Sequence, residues 1–86
     1  MPHRKKRFLF VCTAAMQRSP TAAELFRNHM VVEAKFAGVS ELAATPLTKS
    51  AVEWADKIFV MENYHKDYLL QHFPKLNKPV VVLDIP

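Results

Sequence analysis

Compact apolar runs punctuate the chain at intervals, each set off by charge, proline or turn residues. Phe8 to Val11 follows four basic residues. An apolar run this short, bounded by charge, reads as a buried strand. Lys57 to Met61 ("KIFVM") and Val80 to Leu83 ("VVVL") have the same character, and Lys35 to Ala37 is a shorter candidate ending at Gly38, the only glycine. Between these strands the pattern is helical. Ser19-Pro20 reads as a helix start, with serine as cap and proline preorganised for the first turn. The helix is expected to run through "TAAELFRNHMVVEA", with Ala23, Phe26, Met30 and Ala34 on one face and Leu25 and Val32 flanking it. Thr48 to Ala55 predicts a short helix capped by Thr48. "ENYHKDYLLQHF" predicts a third, ended by Pro74.

Strand and helix therefore alternate, from a first strand to a fourth. That order predicts an α/β fold: a four-stranded parallel sheet with right-handed crossovers and helices on both faces. In open parallel sheets, ligands bind beyond the carboxyl ends of the strands. The residues expected there are Cys12 to Arg18, Gly38 to Ser40, Met61 to Tyr64, and Asp84. A thiol, a guanidinium and a carboxylate thus converge on one edge.

Length and charge narrow the picture. The 86 residues make a single small domain, 1–86, with residues 1–7 as a basic N-terminal arm. Such a chain buries only about two-thirds of the surface it exposes when unfolded. The net charge is +4, which Arg4, Lys5, Lys6 and Arg7 alone account for. The arm reads as a solvated lead-in to the first strand, and with no basic, aromatic-interleaved stripe elsewhere a nucleic-acid partner is disfavoured. One cysteine excludes an internal disulfide and any zinc site built on several cysteines. His3, His29, His65 and His72 do not cluster at metal-ligand spacing and are expected at the surface or its boundary. No apolar run approaches the ~20 residues of a membrane span. A reduced thiol and no span point to the cytoplasm.

The loop from Cys12 to Ser19 carries the chemistry. It leads from a strand into a helix N-terminus, where backbone N–H groups are unpaired and a partial positive charge gathers. A short loop over such an end aims its amides inward as an anion nest. Thr13, Ala14, Ala15, Met16 and Gln17 would line it, and Arg18 adds a planar fork for two phosphate oxygens. A thiol at the base of this field is driven toward thiolate. The Ser19 hydroxyl is placed to donate to the sulfur. Asp84, past the last strand, is placed to protonate a leaving group and then to activate water. Nucleophile, cradle and acid together make a double-displacement phosphatase with no cofactor and no metal. Simpler readings stand beside this one. Cys12 as an ordinary buried thiol, Arg18 as a surface helix residue and Asp84 as the start of a turn each fit the bare sequence. Asn63 and Tyr64 fit a pocket rim or a solvent-facing helix start equally. Trp54 and Phe59 read as core, and Gly38 as permitting a tight backbone path.

The stretch Cys12-Thr-Ala-Ala-Met-Gln-Arg18-Ser19 followed by "PTAAELF", with "FAGVS", "WADKIFVM" and "VVVLDIP", resembles the low-molecular-weight protein tyrosine phosphatases over nearly the whole chain, closest to their short bacterial members. The resemblance implies a flavodoxin-like fold with strand order 2-1-3-4. It implies Cys12 as nucleophile, Arg18 as phosphate ligand, Ser19 as thiolate support and Asp84 as general acid. The implied substrates are phosphotyrosine in proteins or other aryl phosphates. Three departures stand out: Ala14 and Ala15 replace the loop's customary asparagine, Ile85 separates the aspartate from Pro86, and the family's C-terminal helix is absent. The last predicts an exposed apolar strip, hence a homo-oligomer or a marginally stable monomer. Two other functions share the pattern. One is a catalytically weak phosphate-binding module. The other is an arsenate reductase, which would rely on an external thiol because this chain has no second cysteine.

Overall fold

Charge followed by apolar residues does become strand. In the computed structural model, which describes residues 5–13, 24–25, 31–40, 42–43 and 45–84, β1 spans Lys6–Cys12 and β2 Val32–Gly38. Helix α1 spans Lys49–Trp54, β3 Lys57–Val60, α2 Asn63–His72 and β4 Val80–Val82. The strands form one sheet in the order β2-β1-β3-β4. Every pairing is parallel. This is the expected 2-1-3-4 α/β architecture.

β1 is central, and its alternation organises the core. Leu9 and Val11 point to one face, where they join Ile58 and Val60 of β3, Val52 of α1 and Leu69 of α2. Phe10 and Cys12 point to the other, with Met61 beneath them and Phe8, Ala34, Phe36, Phe59 and Leu83 packed around. The ring of Phe59 stacks on Phe10 and meets Phe8 edge-on, with centroids 5.1 and 4.9 Å apart. The steps from β2 to β3 and from β3 to β4 cross the sheet in the same direction. Right-handed connections therefore put α1 and α2 on the same face, the one lined by Leu9 and Ile58.

The boundaries of β2 correct one expectation. The strand begins at Val32, not Lys35, because the seven-residue ladder with β1 starts at the Lys6–Val32 pair. Val32 and Ala34, read from periodicity as helical, are strand residues. Val32 is buried, and Ala34 packs on the second face of the sheet. Ladder hydrogen bonds to a central strand outweigh the modest helix preference of three residues. The remainder of that expected helix lies outside the described residues apart from Glu24, Leu25 and Val31, all exposed.

The two described helices are fixed at their ends. The Thr48 hydroxyl accepts the Ala51 N–H at 3.1 Å, the expected N-cap. At the other end of α1, Lys78 Nζ donates to the carbonyls of Val52 and Glu53. A cation there satisfies carbonyls that a helix end leaves unpaired. Trp54, expected in the core, packs only partly against it. Its ring lies under the cations of Lys35 and Arg7, 4.6 and 5.7 Å from the centroid. Among the described residues no helix is long and apolar enough to cross a membrane.

Candidate active site

A parallel sheet sends all its carboxyl ends to one edge. β1 delivers Cys12 there, β2 Gly38, β3 the turn into α2, and β4 Asp84. Cys12 is almost fully buried, in one cluster with Phe10 and Met61. It pairs in register with Gly38, so no side chain flanks the sulfur from β2. Gly38 also bridges to Pro46 and exchanges hydrogen bonds with Thr45 and Leu47. Its backbone thus runs between two neighbours, the tight path expected of it, and its φ is not positive.

The ladder continues past the cysteine. The Cys12 carbonyl accepts Val39 N–H and the Thr13 carbonyl accepts Ser40 N–H, both at 2.9 Å. The side chain of Thr13 is held as well. Its Oγ1 is hydrogen-bonded to the Tyr64 hydroxyl and lies 3.1 Å from His65 Nε2. Both partners stand in the first turn of α2. That turn is locked by a reciprocal cap: the Glu62 side chain accepts the backbone N–H of His65, and His65 Nδ1 accepts the Glu62 N–H at 3.1 Å.

His65 corrects a second expectation. It is wholly buried, where the sequence reading placed it at the surface; His72 is exposed as expected. The physical reason is that both its ring nitrogens have protein partners, so burial leaves neither stranded. The spacing of Glu62 and His65 as N-cap and N3 is the signal that could have found it.

Asp84 lies past β4 and is exposed, with φ of 56°. Aspartate tolerates this left-handed region better than most residues. The Leu83 N–H binds the Val60 carbonyl at 2.8 Å, which extends the β3–β4 pairing to the residue before it. β3 intervenes between β4 and β1, so the Asp84 and Cys12 backbones are separated by two strand spacings, roughly 10 Å. A substrate entering over Cys12 would stand between them. Glu62 is engaged in the helix cap, which leaves Asp84 as the exposed carboxylate of this edge among the described residues. Ala14, Ala15, Met16, Gln17, Arg18 and Ser19 lie outside the described residues.

A fold with a buried cysteine at the mouth of its central strand has close counterparts. A protein-arginine-phosphatase of Geobacillus stearothermophilus is 33% identical over 99 aligned positions, covering 87% of this chain and 65% of the relative. The solved YwlE arginine phosphatase of that organism superposes with a TM-score of 0.78 at 31% identity, over 91% of this chain and 66% of that one. These relatives and solved neighbours are phosphatases of the low-molecular-weight protein tyrosine phosphatase family, the family that the sequence resembles. A third match within this phosphatase fold, at 25% identity and TM-score 0.76, covers 90% of this chain and 68% of that one; it is a cysteine-to-serine mutant of YwlE with a phosphorylated active-site serine. The chain spans just under two-thirds of the length of the first relatives it matches. No family model matches it.

Proposed function

We propose that the chain is a cysteine-dependent phosphatase of phosphorylated proteins, working by double displacement through Cys12. The observation that carries this reading is the position of Cys12. It is the terminal residue of the central strand, at the ligand-binding edge of a sheet shared with phosphatases. The serine variant of the relative, with its active-site serine phosphorylated, supports covalent transfer to the residue at this place.

In the first step the Cys12 thiolate attacks phosphorus, the S–P bond forms, and the bond from phosphorus to the leaving atom breaks. Arg18 and the loop amides of Thr13 to Ser19 hold the three equatorial oxygens. Asp84 gives its proton to the departing atom. In the second step the Asp84 carboxylate takes a proton from water, the water oxygen attacks phosphorus, and Cys12 departs as thiolate with release of inorganic phosphate. Ser19 donates to the sulfur in both steps.

Phosphoarginine is the substrate class we favour, because the relatives are named arginine phosphatases. Phosphotyrosine and aryl phosphates, the expectation from the family resemblance, have the same phosphoryl group on a different leaving atom. Paired assays separate the two: kcat/KM on a phosphoarginine peptide is expected to exceed that on the matched phosphotyrosine peptide by at least about tenfold, the ratio one well-placed side-chain contact gives. The reverse order would return the assignment to tyrosine. Absence of turnover on either, with phosphate or vanadate still bound, would instead make the chain a phosphate-binding module.

The acid role of Asp84 has its own test. Asp84→Asn is expected to lower kcat/KM, which reads only the first displacement, by about 10²-fold on phenyl phosphate, the usual scale for losing a general acid. The loss on p-nitrophenyl phosphate should be much smaller, since nitrophenolate leaves without a proton. Equal losses on both would remove Asp84 from that role.

A further inference from the structure

The element least expected at this edge is the buried imidazole of α2, and its two nitrogens have different duties. Nδ1 accepts the Glu62 N–H. A nitrogen that accepts carries no proton, so in the neutral ring the proton sits on Nε2. Nε2 lies 3.1 Å from Thr13 Oγ1, and is therefore the donor in that bond. The tautomer is dictated by the helix cap, through a backbone amide that cannot change its role.

We propose that His65 is a positioning residue for the reaction: it holds the Thr13 hydroxyl, and through it the peptide that follows the nucleophile. This rests on the phosphatase reading of Cys12. Three observations support it. Thr13 is adjacent to Cys12, so a displacement of its backbone moves the base of the anion cradle. Its carbonyl is tied to β2 by Ser40 and its side chain to α2 by His65 and Tyr64, so the first loop residue is fixed from two directions. Finally, His65 is wholly inaccessible to solvent and the Tyr64 ring lies against it, centroids 4.1 Å apart. A donor so enclosed has no rotamer freedom left to lose when it orients its partner.

The test is a double-mutant cycle with a spectroscopic companion. Thr13→Val removes the hydroxyl and leaves α2 untouched. His65→Phe keeps a ring but no donor, and His65→Gln restores an amide donor near the place of Nε2. With p-nitrophenyl phosphate, Thr13→Val and His65→Phe are each expected to lose about tenfold in kcat, more than in KM, the scale of one buried hydrogen bond. The double variant should be no worse than either single one, and His65→Gln should recover part of the loss. Multiplying losses would mean that the two side chains act independently, and would overturn the proposal. So would full activity in Thr13→Val. In nitrogen-detected NMR of the wild type, the His65 ring is expected to carry its proton on Nε2, with a resonance that shifts in Thr13→Val. A proton on Nδ1, or an Nε2 signal indifferent to the substitution, would equally overturn it. Should the wild type hydrolyse no phosphoester at all, the phosphatase reading falls, and the NMR pair alone decides the clamp.

Discussion

Replacing Cys12 with serine is expected to lower phosphoester hydrolysis by on the order of 10⁴-fold or more, the scale on which loss of a nucleophile acts. The fold should be unaffected, because sulfur and oxygen differ little in size and the position is held by backbone pairing to β2. A serine hydroxyl is a far weaker nucleophile than a thiolate at neutral pH. It is also a poorer leaving group, so any phosphoryl group it accepts should persist. The variant is therefore expected to be inactive in turnover and yet to retain phosphate covalently after long exposure to substrate; the serine variant of a relative carries a phosphorylated active-site serine. Steady-state assays and intact-protein mass spectrometry on the same sample check both halves. Undiminished hydrolysis in the variant would take Cys12 out of the chemistry.

Ile58→Ala should cost about 2–5 kcal/mol of folding stability. Ile58 is completely buried in β3, between the central strand and the helices above it. Truncation removes its contacts with Leu9 and its other neighbours in that layer and leaves a cavity that rigid sheet backbone cannot close. This loss is a large share of a folding stability that is marginal in any protein. Denaturant unfolding followed by far-UV circular dichroism measures it. Substitution of the exposed Leu70 by alanine serves as the reference and is expected to change stability little. A midpoint in Ile58→Ala equal to that reference would mean that the sheet does not pack as described.

The parts of this molecule that periodicity announces are those where one physical rule acts alone. The runs at Phe8 and Ile58 are strands because burial on both faces demands unbroken apolar sequence. Thr48 caps α1 because a threonine hydroxyl followed by apolar spacing has little else to do. Strand order came from the family resemblance, and the 2-1-3-4 sheet agrees with it. Misreadings occurred where two rules competed. Val32 and Ala34 fit a helical face on spacing alone, and only pairing with Lys6 and Phe8 makes them strand. His65 looks polar, but its burial depends on a cap and on a threonine 52 residues away in sequence, a contact that no local pattern encodes. The convergence of Cys12, Gly38, α2 and Asp84 on one edge was legible because parallel strands leave it no alternative. Ala14 to Ser19 lie outside the described residues, so the anion-binding role proposed for them rests on residue types alone.

The central claim is that phosphate passes through the sulfur of Cys12. Rapid acid quench of the wild-type protein during turnover, followed by peptide mapping, tests it most directly. The account predicts one phosphoryl group per chain, on the peptide containing Cys12, appearing before inorganic phosphate and labile as thiophosphate esters are. Turnover with no such adduct, or with the phosphoryl group on any other residue, would contradict it.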